Sequence, residues 1–275
     1  MSVFDTVGYW SEVKLDIVRK YAAAYSKILA AQTSPRLHHV YVDAFAGAGR
    51  HVSRQTGEFV PGSPLNALLV EPPFSEYYLI DIEARKVAAL ESIAGKRPNV
   101  HVFHGDCNEI LLKDVFPNIR FEDYKRGLCL LDPYGLHLDW AVIQEAGRMR
   151  SLEVFLNFPV ADINRNVLLR APDAVSPTQV QRMSRYWGDE SWRQVAYESV
   201  PTLFGEDKLK VANEVVAQAF RERLRTLAGF QHVPDPMPMR NSKGAVVYYL
   251  FFASPKAVAG NIVTEIFDSY RERAR

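Results

Sequence analysis

The sequence has few cysteines, no long apolar run and almost no net charge. Cys107 and Cys129 are too few and too far apart for a disulfide scaffold or a zinc site, so both are expected to be buried in a reducing compartment. No stretch approaches the ~20 apolar residues of a membrane span, and MSVFDTVGYW lacks the features of an export signal. With 33 basic and 32 acidic residues, no overall field attracts nucleic acid or membrane. These absences predict a soluble cytoplasmic protein.

Strands and helices alternate along the first part of the chain in a pattern typical of a parallel α/β sheet. The hydrophobic content of 48% is sufficient for a full core. Four apolar runs each carry an aspartate at or near their end: His38–Phe45, Tyr77–Asp81, Val100–Asp106 and Leu128–Asp132. Ligands of parallel sheets bind outside the carboxyl ends of the strands. We therefore expect Asp43, Asp81, Asp106 and Asp132 at one edge of the sheet.

The remaining pattern predicts one domain over residues 1–275, with a seven-stranded, mostly parallel sheet and an antiparallel last strand. An amphipathic helix, Tyr9–Ala31, is predicted to cover the sheet edge or the cleft, with Lys14, Arg19 and Lys20 between its apolar positions. The other predicted helices are Leu65–Val70 with Ser63 as N-cap, Glu83–Ala94, Asn108–Phe116, Trp140–Met149, Lys208–Leu227 with Val215 inward, and Lys256–Tyr270. The other predicted segments are a loop at Arg50–Gly62, a fifth strand at Leu152–Val160, a helical insertion at 162–205, and an antiparallel pair, Phe230–Met239 and Ala245–Ala253, around the turn Asn241–Gly244.

The stretch His38–Gly49, HHVYVDAFAGAG, runs from the first strand into a glycine-bearing loop. Glycines at such a place let the backbone approach a ligand. The dinucleotide fingerprint G-x-G-x-x-G fits poorly, because Val52 stands where the third glycine belongs. The acid-first pattern D-x-F-x-G-x-G resembles the cofactor loop of class I S-adenosylmethionine-dependent methyltransferases, in which the acid faces the methionine end and the glycines admit the adenosine. The alternative is an ordinary turn between a strand and a helix.

The next two strand-ending aspartates suit the adenosine half of that cofactor. Asp81 would bond both ribose hydroxyls, and charged hydrogen bonds of this kind contribute roughly 1.5–3 kcal/mol each. Asp106 would accept the adenine amino hydrogens between apolar walls formed by Ile82 and Cys107. Taken singly, each aspartate fits a capping role, and Ile82 fits the core equally well. The residues predicted to bind the cofactor are Asp43, Phe45, Gly47, Gly49, Asp81, Ile82, Asp106 and Cys107.

Asp132, Pro133 and Tyr134 are the candidate catalytic residues. A short acid, a proline that fixes φ and an aromatic ring form a rigid corner that can bond and stack on a planar amine. The corner resembles the D-P-P-Y motif of amino-methyltransferases and, more closely, the D-P-F-G form of guanine N2-methyltransferases acting on transfer RNA, with Gly135 in the aromatic position of D-P-P-Y. That resemblance implies that Asp132 orients an amine with its lone pair toward the methyl group. The alternative is a proline turn that only ends the strand.

The segment Arg148–Trp192 is a candidate surface for RNA or DNA. It contains six arginines against three acids before Tyr186, Trp187 and Trp192, and such side chains can bind phosphates and stack on bases. Acids nearly balance bases from Asp162 to Phe230, which favours a solvated helical cap. Asn157–Pro159 either lines the acceptor side or ends the fifth strand. The histidines show no metal-ligand spacing, so no metal site is assigned.

From about Tyr41 onward, the chain resembles the bacterial three-Cys-motif partner protein (TcmP) family. The similar segments are YVDAFAGAG, GSPLNAL, YYLIDIE, HGDCNEI, LDPYGLHLDW, FLNFPVADINR and YYLFFASPK. The resemblance implies a class I Rossmann-like methyltransferase fold, the S-adenosylmethionine cofactor of such folds, and a partner protein carrying three cysteines. Two functions stay open: a methyltransferase acting on an amino group, for example in nucleic acid, and a partner subunit that binds the three-cysteine protein without methylating anything.

Overall fold

The computed structural model describes residues 3–202, 205–241 and 243–273. Its strands, in chain order, are β1 Thr6–Val7, β2 His38–Asp43, β3 Arg50–Ser53, β4 Phe59–Pro61, β5 Glu76–Asp81, β6 Val100–His104, β7 Lys125–Leu131, β8 Leu152–Phe158, β9 Tyr197–Thr202, β10 Gly205–Lys210, β11 Met237–Arg240 and β12 Val246–Ala253. The α-helices are α1 Tyr9–Ala30, α2 Ser63–Leu68, α3 Ala84–Ala94, α4 Cys107–Ile110, α5 Trp140–Met149, α6 Val160–Asn166, α7 Pro177–Trp187, α8 Trp192–Ala196, α9 Asn213–Thr226 and α10 Ala257–Arg273. A π-helical turn, Leu111–Val115, and a 3₁₀ turn, Phe116–Asn118, continue α4.

Seven of these strands form one sheet in the order β6-β5-β2-β7-β8-β12-β11. The first five are parallel to their neighbours, while β12 is antiparallel to both β8 and β11. The predicted seven-stranded, mostly parallel sheet with an antiparallel last strand is therefore confirmed. Parallel strands need crossover connections, and the helices that follow β5, β6 and β7 supply them.

Helices cover both faces of the sheet. The alternating side chains of a strand point to opposite faces, so Tyr41 packs in the cluster with α1 and α10, whereas Val40 and Val42 pack in the other cluster. On the first face, the rings of Tyr21 and Phe155 meet edge to face at 5.4 Å. The second face is covered by α4, α5 and the helices of the insertion. Burial from both sides explains why β2 carries a nearly continuous apolar run.

The segment predicted as a loop, Arg50–Gly62, contains a small hairpin instead. Strand β3 pairs antiparallel with β4 and parallel with β1. Because β1 lies N-terminal to α1, this part of the chain forms the third strand of the small sheet. These strands have two to four residues, too few for the sequence to show an alternating pattern. Gly62 is the N-cap of α2, so the prediction that Ser63 caps the helix is wrong. The Ser63 hydroxyl instead donates to Asp43.

The insertion also differs from its prediction. It contains a hairpin, β9–β10, and Lys208–Lys210 belong to β10 rather than to the helix, which begins at Asn213. Val215 is consequently exposed, and Val216, Ala217, Phe220 and Leu224 form the buried face of α9. Residues 203–204, between β9 and β10, and Ser242, in the predicted turn between β11 and β12, lie outside the described residues.

Both cysteines are buried, as predicted. Burial raises the pKa of the Cys107 thiol to about 12, so it stays protonated and unreactive at neutral pH. Within the described parts of the chain, no helix combines the length and the apolar character that crossing a membrane requires.

Glu153 of β8 makes stability pH-dependent. It accepts hydrogen bonds from Tyr21 and Ser254, and burial raises its pKa from 4.5 to about 7. Because the folded state holds this proton more tightly than the unfolded state, the folded state loses stability as pH rises from about 4.5 to 7. We expect Glu153→Gln to stabilise the protein at pH 8 by up to about 3 kcal/mol relative to its effect near pH 4.5.

Urea denaturation of the Glu153→Gln variant at several pH values measures this difference. The control is Glu91→Gln, which changes an exposed acid on α3 and should leave the pH dependence of the parent intact. An equal effect of Glu153→Gln at both ends of the pH range would contradict the assignment.

Candidate active site

The four strand-ending aspartates lie at one edge of the sheet, as predicted. Asp43 and Asp81 are the last residues of β2 and β5, Asp106 follows β6, and Asp132 follows β7. Because these four strands are parallel neighbours, their carboxyl ends meet at the same rim. The surroundings of the four carboxylates differ, however, and so does the chemistry that each can perform.

Asp43 is enclosed by its own chain. It has no exposed surface, and its carboxylate accepts hydrogen bonds from the Phe45 amide at 3.3 Å, the Tyr41 hydroxyl at 3.2 Å and the Ser63 hydroxyl. Burial raises the pKa of Asp43 from 3.8 to about 7. Asp43 lines neither of the two cavities at the rim. Through the hydrogen bond from the Phe45 amide, Asp43 holds the loop after β2 in place.

The glycine loop is fixed to the end of β5. The Gly47 amide donates to Asp81 Oδ2 at 2.9 Å, and Asp81 Oδ1 accepts from the Glu83 amide at 2.8 Å. Gly47 and Gly49 have φ of +64° and +75°, in the left-handed region that favours glycine. A Cβ on Gly49 would also lie 2.5 Å from Ile93 Cδ1. Gly49 therefore serves the turn and its packing on α3, and it lies outside both cavities.

The small cavity, of about 280 Å³, contains most of the residues predicted for the cofactor. Its walls include Phe45, Asp81, Ile82, Asp106 and Cys107. Ile82 is 69% exposed, so the reading of this side chain as core is wrong. Asp106 Oδ1 accepts from the amide of Asn108 at 2.7 Å and caps α4, while the residue stays exposed at the cavity. With Glu83 and Lys86, which also line it, the cavity has three carboxylates, one ammonium group and apolar walls.

The large cavity, of about 490 Å³, adjoins the small one, and Phe45 and Tyr134 line both. Gly47, Asp132 and Pro133 also line it. The ring of Tyr134 is 67% exposed. Its hydroxyl donates to Asp5 at 3.2 Å, so the segment N-terminal to α1 holds the ring in place. The structure thus brings the three candidate catalytic residues together at the junction of the two cavities.

Asp132 forms an ion pair with Lys14 of α1 inside the large cavity. Lys14 is only 8% exposed, and this burial disfavours the charged form of its amine. The neighbouring Asp132 carboxylate outweighs the effect of burial, so the pKa of Lys14 is raised. The pair uses Asp132 Oδ2, so Oδ1 remains available. Lys14 was predicted to lie between the apolar positions of α1, and its burial corrects that prediction.

Three polar atoms of the large cavity's lining residues have no hydrogen-bond partner among the described residues: His51 Nδ1, Asn157 Oδ1 and Asp162 Oδ2. Asn157 is buried, and its Nδ2 donates to the Pro133 carbonyl at 3.4 Å. Burial lowers the pKa of His51, so its imidazole is neutral at pH 7. Buried polar atoms without partners are costly in native structures, and a bound molecule or an ordered water can supply the missing hydrogen bonds. Asn157 thus lies near the end of β8 and also lines the large cavity.

The sequence analysis missed several residues of this site, namely Asp5, Lys14, His51, Asp162 and Tyr248. One of them carried a signal. Lys14 falls on the helical stripe that contains Ile17, Val18 and Tyr21, and a lysine on the apolar stripe of a helix indicates a buried partner. The others come from separate segments and carry no local signal.

The aromatic residues predicted to stack on bases are core residues. Tyr186, Trp187 and Trp192 are buried, and their rings pack among the insertion helices and β8. Of the arginines in the same segment, Arg148 pairs with Glu145 and Arg185 pairs with Asp139. The insertion therefore offers no aromatic platform from these residues.

Neither a protein-family model nor a curated protein matches the chain. Among solved structures, a Legionella pneumophila protein of the DUF519 family is similar, at 12% identity, with 93% of this chain and 91% of that chain covered and a TM-score of 0.53. The fold is Rossmann-like, with a mostly parallel seven-stranded sheet between helices. A Streptomyces avermitilis DUF574 protein (11% identity, coverage 89% and 83%, TM-score 0.46) and the N-methyltransferase NodS from Bradyrhizobium japonicum with S-adenosyl-L-homocysteine (10% identity, coverage 85% and 86%, TM-score 0.36) are more distant.

Proposed function

We propose that the protein is an S-adenosylmethionine-dependent methyltransferase that acts on an amino group. The observation that carries the proposal is the pair of adjoining cavities that share Phe45 and Tyr134. One has the carboxylates and apolar walls that an adenosine needs, and the other has acceptors for an amine. Such adjacency is required for methyl transfer, because the two reactants must meet along a line.

The residues of the small cavity fit the adenosine half of the cofactor. Asp81 is held by two backbone amides, and each of its oxygens keeps a lone pair for a ribose hydroxyl. The exposed Ile82 and the buried, protonated Cys107 supply apolar walls for the adenine, and Asp106 supplies an acceptor for its amino group. The enclosed Asp43 would act indirectly, through the loop that contains Phe45 and Gly47.

When bound, the cofactor supplies an electrophilic methyl group, which the amine's lone pair takes as the carbon–sulfur bond breaks and its electrons stay on sulfur. Asp132 Oδ1 accepts a hydrogen bond from the amine and can receive the proton that the nitrogen loses. The oxygen of Pro133 and Oδ1 of Asn157 are further acceptors beside it. With its hydrogens held in this way, the amine keeps its lone pair directed toward the small cavity.

Membership of the three-Cys-motif partner protein family is part of the proposal. The motifs that support it, D-x-F-x-G-x-G and L-D-P-Y-G, lie at the glycine loop and at the junction of the two cavities. A three-cysteine protein is then the expected partner, and the cytoplasm is the expected compartment. The same partner would also serve the second candidate, in which the chain is a subunit without catalytic activity of its own.

Calorimetry with S-adenosylmethionine and S-adenosylhomocysteine tests the cofactor. We expect binding to the purified protein, and Asp81→Ala should weaken it by about 10-fold or more, because each 1.4 kcal/mol of lost hydrogen bonding is tenfold. Asp81→Asn keeps one acceptor oxygen, so its affinity for the cofactor should lie between those of the parent and of Asp81→Ala. Unchanged affinity in Asp81→Ala would reject Asp81 as the ribose ligand, and binding of NADH without binding of either adenosyl compound would reject the cofactor.

A further inference from the structure

A groove on the insertion has a strongly one-sided charge. It measures about 710 Å³ and is lined by Arg170, Lys208 and Lys210, together with Asn164 and three leucines. No acidic residue among those that the structure describes contributes to this lining. We refer to it as the cationic groove. On a chain with a net charge of only +1, such a local concentration of positive charge indicates a particular anionic ligand rather than general attraction.

Lys210 is the most constrained of the three cations. It is half-buried, and this burial lowers the pKa of its amine. Its Nζ donates to Asn164 Oδ1 at 2.6 Å, and it forms no ion pair with any described acid. A partly desolvated ammonium group with only an amide as partner is poorly compensated. A phosphate oxygen in the groove would supply the missing charge.

The cationic groove lies one short helix away from the large cavity. Helix α6 has seven residues and is therefore about 10 Å long. Asp162 and Arg165 of this helix line the large cavity, whereas Asn164 lines the groove. Arg165 is exposed and forms no ion pair with a described acid, so it extends the positive charge from the groove to the mouth of the cavity.

We propose that the cationic groove binds phosphate groups of single-stranded nucleic acid while an unpaired base places its amino group in the large cavity. This inference rests on the proposed function and names its substrate class. The base must be unpaired to reach an acceptor corner that lies inside a cavity, and a single strand offers such a base without the cost of flipping it out of a duplex. Since Tyr186, Trp187 and Trp192 are buried, the insertion contributes phosphate contacts, and the exposed ring of Tyr134 is the stacking surface.

The test is binding of short, fluorescently labelled single-stranded RNA and DNA of mixed sequence, followed by anisotropy between about 50 and 200 mM salt. The variant replaces Arg170, Lys208 and Lys210 by alanine. We expect it to lose at least about 10-fold in affinity and to lower the slope of log affinity against log salt by about 2, since each single-strand phosphate contact contributes about 0.7. The charge-matched control replaces three exposed lysines outside the groove, Lys27, Lys96 and Lys243.

Stronger binding of RNA than of DNA, or the reverse, would show which of the two nucleic acids the groove prefers. The inference is overturned if the parent protein binds neither strand, if the control variant loses as much affinity as the groove variant, or if the parent binds phosphatidylserine vesicles instead. Calorimetry with S-adenosylhomocysteine on the same samples separates this inference from the proposed function. If the protein still binds S-adenosylhomocysteine but binds neither strand, the nucleic acid substrate is rejected and the proposed cofactor is not.

Discussion

Replacing Asp132 by alanine is expected to lower the rate of methyl transfer about 10²-fold and to leave the affinity for S-adenosylmethionine nearly unchanged. The carboxylate lines the large cavity and not the small one, so in the proposed function it would act on the amine and not on the adenosine. It is needed when the nitrogen is aligned with the methyl group, and interactions made only at that stage appear in turnover. Single-turnover kinetics with a labelled methyl group measures this loss.

The measurement needs an acceptor, and a screen of cellular RNA, DNA and protein with labelled cofactor would supply one. Asp123→Ala is the control, because it removes an exposed acid from the loop before β7 and should leave the rate unchanged. A loss of cofactor affinity in Asp132→Ala equal to the loss of rate would contradict a role in positioning the amine.

The same screen decides between the two candidate functions. The enzyme reading should be abandoned if no molecule accepts the methyl group while the protein binds its three-cysteine partner and Asp132→Ala leaves that partner's activity intact. The fold would then serve as an interaction surface, since one fold can support many unrelated functions.

The central sheet was predictable because its parallel strands have a pattern that is visible in the local sequence. A strand buried on both faces is a short apolar run, and β2, β5 and β7 are such runs that end at or just before an acid. The helices between them show the helical period. Their order along the chain and the right-handed rule for crossovers then leave few possible topologies.

The two hairpins outside the sheet were not predictable in the same way. Strand β3 is stabilised by pairing with β1, more than 40 residues earlier in the chain, as in the pair of Thr6 with Val52. Strand β10 has an alternating sequence, Lys208-Leu209-Lys210, which is too short to separate from the helix that follows. The decisive pairing of β3 is thus with a distant segment, whereas β10 pairs with its chain neighbour β9 in a hairpin that its own short pattern does not reveal.

The residues of the small cavity follow from the sheet, but those of the large cavity do not. Asp81 and Asp106 lie at the rim because their strands end there. The large cavity instead collects Asp5, Lys14 and Tyr248 from the two ends of the chain. Side chains that meet only through tertiary packing leave no spacing in the sequence, apart from the misplaced charge of Lys14 on its helix.

Replacing Lys14 by methionine is expected to give the second large loss, at least about 10-fold in the rate of transfer. Methionine keeps the bulk of the side chain but removes the only ion pair that Asp132 makes among the described residues. The carboxylate then loses the partner that holds its Oδ2, so Oδ1 is no longer fixed in the position from which it would accept from the amine.

A comparison of rate with cofactor affinity distinguishes a positioning role of Lys14 from a merely structural one. Lys14 lines the large cavity and not the small one, so we expect Lys14→Met to lower the rate and to leave the affinity for S-adenosylhomocysteine nearly unchanged, whereas a general loss of structure would lower both. Lys20→Met is the matched control, since Lys20 lies on the same helix but pairs with Asp16 at its exposed surface. In a double-mutant cycle, Lys14→Met should add little to the loss of Asp132→Ala, because the lysine acts through that carboxylate. Additive losses, or a loss of cofactor affinity equal to the loss of rate, would contradict the coupling.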